Sequence, residues 1–306
     1  MTIGTAAAVT YNVTSIAGPQ NYTTIQQAVD NATAGDTILV YPGTYNENVN
    51  VTKQLNITST DGAASTYVTA ATSGNHVFNV TADWVTISGF NITGATASDK
   101  AGIYLNSSNN SMLISNTASN NSIGILLTSS SYNNLTSNTA TDNTQSGIQL
   151  AGSPFIGGPS SYNILTDNTA TNNSIGIQLG FASYNNLTSN TASNNTGDGI
   201  SLSGIPFGPF GGPSSYNDLT NNTASNNTGD GINLLVSSNN KLTDNTASNN
   251  SIGINLFVSR YNNLTSNTAT DNTGDGIRLS GNPIGHIRGP TSYNILTDNT
   301  AKDNTG

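Results

Sequence analysis

Residues 176–195 read GIQLGFASYNNLTSNTASNN, and this stretch decides the fold. Ile177 and Leu179 are apolar residues two apart, the spacing that puts both on one face of a strand. Leu187 and Ala192 each sit alone inside a short polar segment. The same unit returns along the chain. The tripeptide Asn-Thr-Ala occurs with its Asn at 116, 138, 168, 190, 222, 245, 267 and 299, so the separations are 22, 30, 22, 32, 23, 22 and 32 residues. Ile stands after Gly at 103, 125, 148, 177, 200, 232, 254 and 277, with Leu two residues later each time. A second Leu column runs through 113, 135, 165, 187, 219, 242, 264 and 296, and an Ala column through 118, 140, 170, 192, 224, 247, 269 and 301. Twenty-two residues leave room for three strands of about 3–5 residues and three bends. The period predicts an all-β parallel solenoid with three sheets, in which like residues stack at ~4.8 Å.

A leucine-rich repeat has a similar period but needs a helical or 3₁₀ segment in each turn, and Thr-Ala-Ser-Asn-Asn offers none. The two Asn columns, one in the tripeptide and one at 121, 143, 173, 195, 227, 250, 272 and 304, are expected to form amide ladders at the bends. Such ladders explain how so polar a chain folds: Asn, Thr and Ser number 49, 44 and 37 of 306 residues.

Composition excludes several functions. Seven Lys and Arg against a net charge of -9 argue against nucleic acid as a partner. No apolar run approaches the ~18 residues of a membrane span. Cys is absent, so thiolate chemistry is excluded and disulfides cannot form. The start, Met1-Thr2-Ile3-Gly4, lacks a basic segment followed by an apolar one. With this composition, the expectation is an extracellular or cell-surface chain whose signal has been removed.

Three regions are expected: 1–35, an N-terminal strand and cap helix; 36–100, irregular first coils; and 101–306, regular 22-residue repeats. In the first, Ile25, Ala28, Val29 and Ala32 share one helical face, and the helix is expected to cover the open end of the solenoid. The repeats carry insertions at 151–160, 203–214 and 280–291, all between the Ile-x-Leu strand and the following Tyr.

The segment YTTIQQAVDNATAGDTILVYPGTYNENVNV, residues 22–51, resembles the N-terminal cap and first coil of pectin-lyase-like proteins. The repeat GIxL…NxLTxNTAxxN is similar to the parallel β-helix repeat of the NosD-like group of carbohydrate-binding and sugar-hydrolase proteins, and to Asn/Thr/Ser-rich repeats of archaeal surface proteins. The resemblance covers roughly residues 20–306 and implies a right-handed single-stranded parallel β-helix. It says less of function, because this fold hosts lyases, esterases, hydrolases, adhesins and structural proteins.

Enzymes of these families need clustered Asp with Arg, Lys or calcium. Here Asp198, Asp230 and Asp275 repeat in Thr-Gly-Asp-Gly, and Asp167, Asp244 and Asp298 in Thr-Asp-Asn-Thr, which reads as turn chemistry. Asp198 and Asp230 are the candidate ligands for calcium; no other cofactor is expected. His76 and His286 have no metal-ligand spacing, and Asp275, Arg278, His286 and Arg288 form the one mixed polar concentration. Interaction candidates are Phe155, Ile156, Phe207, Phe210, Ile284 and Ile287 in the insertions, and Tyr184 and Tyr216 from a Tyr column that also includes 132, 162, 261 and 293. Candidate glycosylation sites are Asn56, Asn79, Asn91, Asn134, Asn186 and Asn263. The function expected from these residues is non-enzymatic: a self-assembling surface-layer, sheath or filament subunit, forming a homo-oligomer or polymer. The alternative is a carbohydrate-binding or carbohydrate-processing β-helix protein with glycans as partners.

Overall fold

The structure, a computed structural model, describes residues 7–14, 21–152, 158–204, 214–282 and 289–306. The described strands form three parallel sheets of 13, 11 and 10 strands, called here sheets one, two and three. One coil runs through Ile175–Gly180 in sheet three, Asn186–Thr188 in sheet one and Thr191–Ser193 in sheet two before re-entering sheet three at Ile200–Ser203. The predicted columns are the observed register. Leu187 pairs with Leu165 and Leu219, and Ala192 with Ala170 and Ala224. All six are fully buried in one continuous core.

From Tyr132 to Asn272 the coils turn their corners in the same way: a left-handed residue followed by a buried Asn. In one coil these are Tyr184 (φ 59°), Ser189 (56°) and Asn194 (56°), each directly before Asn185, Asn190 and Asn195. Asn and Asp adopt this conformation with least strain; Tyr does so at a cost. The Asn that follows is satisfied on every side. Asn190 donates from its backbone N–H and its Nδ2 to Asn222 Oδ1, both at 3.0 Å, and from Nδ2 to Leu165 O at 2.9 Å. Its own Oδ1 accepts the same pair of bonds from Asn168. Two such ladders are those read from the sequence. The third, through Asn133, Asn163, Asn185, Asn217, Asn240, Asn262 and Asn294, was not, although its signal is plain: Asn follows Tyr in six of these seven positions.

The Gly before each Ile is a matter of space. A Cβ on Gly199 would lie 2.7 Å from Asn227 Nδ2 and 2.7 Å from Gly231 O. Only a residue without a side chain allows the ladder and the sheet to approach so closely.

The helix α1 spans Ile25–Asn31, capped by Thr24, whose side chain accepts from the Gln27 N–H. It buries Ile25, Ala28 and Val29 against the first coils. The strand Thr10–Val13 pairs in parallel with Thr37–Val40, so the described part of the N-terminal strand belongs to its own chain's sheet one.

Candidate functional site

The outward face of sheet three gathers the chain's chemistry. One column of outward side chains runs Asn50, Asn79, Tyr104, Leu126, Gln149, Gln178, Ser201, Asn233, Asn255 and Arg278. Three residues upstream on the same strands lies a parallel column that begins at Ala101 and Ile123 and includes Ser146 and Ile175. Its register continues through Asp198, Asp230, Ile252 and Asp275.

At the N-terminal end of this face, a cleft of about 170 Å³ is lined by Asn48, Asn50, Asn75, His76 and Asn79. The His76 ring stacks on Tyr104, centroids 4.3 Å apart, and its Nδ1 accepts from the Ala101 N–H at 3.0 Å. That bond places the ring proton on Nε2. Burial, with Lys100 adding to it, lowers the His76 pKa to about 4, so the imidazole is neutral at ordinary pH. The surrounding amides are fixed: Asn48 Nδ2 donates to His76 O at 2.9 Å, and Asn79 Nδ2 to Asn50 Oδ1 at 3.0 Å. Asparagines and a neutral imidazole make a site for hydroxyl groups.

Five coils further on, roughly 24 Å away, Asp198 and Asp230 lie in adjacent coils. Asp198 Oδ1 accepts from the Asp230 N–H at 2.9 Å and its Oδ2 from Asn233 Nδ2 at 2.8 Å. Asp230 Oδ2 accepts from Asn255 Nδ2 at 2.8 Å. Burial pushes the Asp230 carboxyl above its usual range; the bond from Asn255 opposes the shift and Asp198 adds to it. Asn255 Oδ1 is buried without a partner. Arg278 pairs with Asp275 at 3.7 Å at the end of the face.

These observations correct one reading and place the others. Asp198 and Asp230 do not cap local turns; they bind across to the next coil. Both oxygens of Asp198 and the Oδ2 of Asp230 are taken by amide and backbone donors, and no group of three or more His, Asp or Glu that could hold a metal occurs among the described residues. Asp167, Asp244 and Asp298 do sit at left-handed corners, φ 53–56°. Tyr184 and Tyr216 are exposed and stack on each other at 4.9 Å, with planes 3° apart. Asn56, Asn134, Asn186 and Asn263 share the outer face of sheet one, each accepting from the Thr two residues on. Asn79 is on sheet three and Asn91 on sheet two. Phe155, Ile156, Phe207, Phe210, Ile284, Ile287, His286 and Arg288 lie outside the described residues.

With the coil geometry in place, comparison with known proteins fixes the family. The family model for the right-handed beta helix region matches residues 39–204 and 154–253. The chain belongs to this family. The strands therefore wind as a right-handed, pectin-lyase-like parallel β-helix. A second model, described as periplasmic copper-binding protein (NosD), matches residues 207–306. No curated protein matches the sequence. Among solved structures, the A-module of the Azotobacter vinelandii mannuronan C-5 epimerase AlgE4 aligns over 91% of this chain and 90% of its own, with TM-score 0.64 and 14% identity. A rhamnogalacturonan lyase aligns over 94% and 87%, with TM-score 0.70 and 14% identity. A pectate lyase aligns over 98% and 80%, with TM-score 0.57 and 15% identity.

The expectation of a non-enzyme does not hold. It rested on acids and bases scattered through the sequence, but the structures this chain resembles are polysaccharide epimerases and lyases. The physical reason is stacking: residues 25 or 32 apart in sequence, such as His76 and Ala101 or Asp198 and Asp230, are neighbours in space. Copper does not fit what is described: the chain has no Cys and its described residues include one His. No helix among the described residues is long and apolar enough to cross a membrane.

Proposed function

We propose that this protein binds a polysaccharide along the outward face of sheet three and belongs to the carbohydrate-processing β-helix proteins that act outside the cytoplasm. The observation that carries this reading is the amide-rich column from Asn50 to Arg278, interrupted by Tyr104 and Leu126, with a cleft at one end and the Asp198–Asp230 pair toward the other. Fixed amides offer donors and acceptors to hydroxyls, and the half-buried Tyr104 ring, packed over Leu126, offers apolar contact to sugar C–H faces. Asp230, whose carboxyl burial pushes above its usual range, is the acidic group on this face best placed for proton transfer. The net charge of -9 favours a neutral chain over a polyuronate.

The test is affinity electrophoresis and calorimetry against soluble neutral and uronate polysaccharides, with products followed by proton NMR. Binding to a neutral polymer, weakened at least tenfold in the Gln149→Ala/Gln178→Ala double variant, is the expected result. Absence of binding to every polymer, or binding unchanged in that variant, overturns the reading.

A further inference from the structure

The exposed aromatic column is broken twice, in the same way. Backbone bonds define it coil by coil: Trp84 precedes Asn110, which precedes Tyr132, Tyr162, Tyr184 and Tyr216; then come Asn239, Tyr261 and Tyr293. All nine residues are left-handed, φ 56–61°. Consecutive Tyr rings stack with centroids 4.9–5.1 Å apart and planes within 11°. At Asn110 and Asn239 the ring is missing and its neighbours stand two coils apart, roughly 10 Å. Every corner Asn of the ladders spends its carboxamide inside the protein, yet those of Asn110 and Asn239 make no hydrogen bond to any described residue.

We infer that these two interruptions are slots, each holding one hexopyranose ring between aromatic walls over an Asn floor. The inference takes its ligand class from the carbohydrate reading above but concerns a different edge of the solenoid. A ring centred in a slot lies about 5 Å from each wall, inside the range over which aromatic faces attract a ring. A pyranose presents C–H groups to those faces and hydroxyls at its rim, and the free carboxamide supplies one acceptor and two donors to the rim. A purely apolar or aromatic guest would leave that amide unused. The walls stack along the solenoid axis, so the ring enters edge-on, as a chain end or branch does. Trp84 and Tyr132 wall one slot; Tyr216 and Tyr261 wall the other, and the four are 59%, 58%, 52% and 55% exposed.

Trp84 is the single tryptophan, so its emission reports on the first slot alone. The probes are methyl α-D-glucopyranoside, methyl α-D-mannopyranoside and methyl β-D-galactopyranoside, titrated into the full chain. We expect at least one to shift Trp84 emission saturably, with two sites seen by saturation-transfer NMR. Asn110→Tyr fills the first slot with the residue other coils carry there, and is expected to abolish the Trp84 response. Asn239→Tyr is expected to preserve that response and remove the second site. No saturable shift with any glycoside, or a shift that survives Asn110→Tyr, overturns the inference. So does a Trp84 shift that depends on protein concentration without glycoside, which marks a second copy as the guest. The Gln149→Ala/Gln178→Ala variant separates the two sites: it weakens polymer binding on sheet three while glycoside binding in the slots is retained. If the face fails to bind polymer but the slots bind glycoside, only the earlier reading falls.

Discussion

Glu47 and Lys53 hold opposite ends of the same helix. The Glu47 carboxylate accepts from the N–H groups of Ile25 and Gln26 at 2.8 and 2.9 Å, while Lys53 Nζ donates to the carbonyls of Val29, Asp30 and Ala32 at 3.0, 2.9 and 2.8 Å. A helix leaves its first N–H and last C=O groups unsatisfied, and its dipole favours an anion at the start and a cation at the end. Both charges come from the coil that α1 covers. Glu47→Ala is expected to cost roughly 2 kcal/mol locally, and Lys53→Met about 1 kcal/mol. Amide exchange resolves this: residues 25–31 should lose protection while the distant coils keep theirs. Uniform loss along the chain, or none, contradicts it.

The ladders give a sharper test. In Asn190→Asp the shape is kept, but the Nδ2 donor to Leu165 O and Asn222 Oδ1 is replaced by an oxygen. A buried carboxylate then faces two acceptors, at an expected cost of at least about 3 kcal/mol. Urea unfolding followed by circular dichroism measures it; a midpoint equal to wild type would show that the ladder is decorative.

Two glycines of adjacent coils make a matched pair. Gly199→Ala brings a Cβ within 2.7 Å of Asn227 Nδ2 and Gly231 O, whereas a Cβ at Gly180 meets only Ser203 Oγ, at 3.9 Å. The first variant should lose roughly 2 kcal/mol or more and the second remain within about 0.5 kcal/mol of wild type. Thermal melts of the two, compared directly, decide whether the Gly column is steric in origin.

His76 predicts a pH dependence of defined sign. Its pKa is lowered from 6.5 to about 4 by burial, with Lys100 second. In that window the unfolded chain takes up a proton that the folded chain refuses, so stability is full above pH 6.5 and falls as pH drops toward 4. Because the ring is only half-buried and solvent screens it, the loss stays well below the ~3 kcal/mol that a full shift of this size would carry. His76→Gln should flatten this part of the stability–pH curve. An unchanged slope between wild type and variant refutes the assignment.

Much of this was legible from spacing alone. Leu187 and Ala192 could be placed inside, and Asn190 and Asn195 at corners, because a solenoid turns sequence period directly into contact. The corner at Asn185 is masked in the sequence by its neighbour: Tyr184 reads as aromatic packing, while the residue after it makes the same amide bonds as Asn190. The His76 cleft was not legible. Asn48 and His76 lie in the irregular early coils, where no column fixes which residues meet Ala101 and Tyr104 of the first regular strand. The role of Asp198 was misread because a repeated Asp-Gly suggests a local turn, and only the register shows that its acceptors serve Asp230 and Asn233 one coil on.

The Asn–Asn contact at the corners is formed with the same geometry whether the two residues are 22, 23, 30 or 32 apart: the backbone N–H to Oδ1 distance is 2.9 Å from Asn163 to Asn185, from Asn217 to Asn240 and from Asn185 to Asn217, and 3.0 Å from Asn138 to Asn168. Coil length is therefore uncoupled from coil stacking. Recombination can add, drop or exchange whole coils, or lengthen the segment after sheet three, without asking any other residue to move. A gene built this way can change what it displays along one edge as fast as it can copy repeats, while the scaffold beneath is inherited intact.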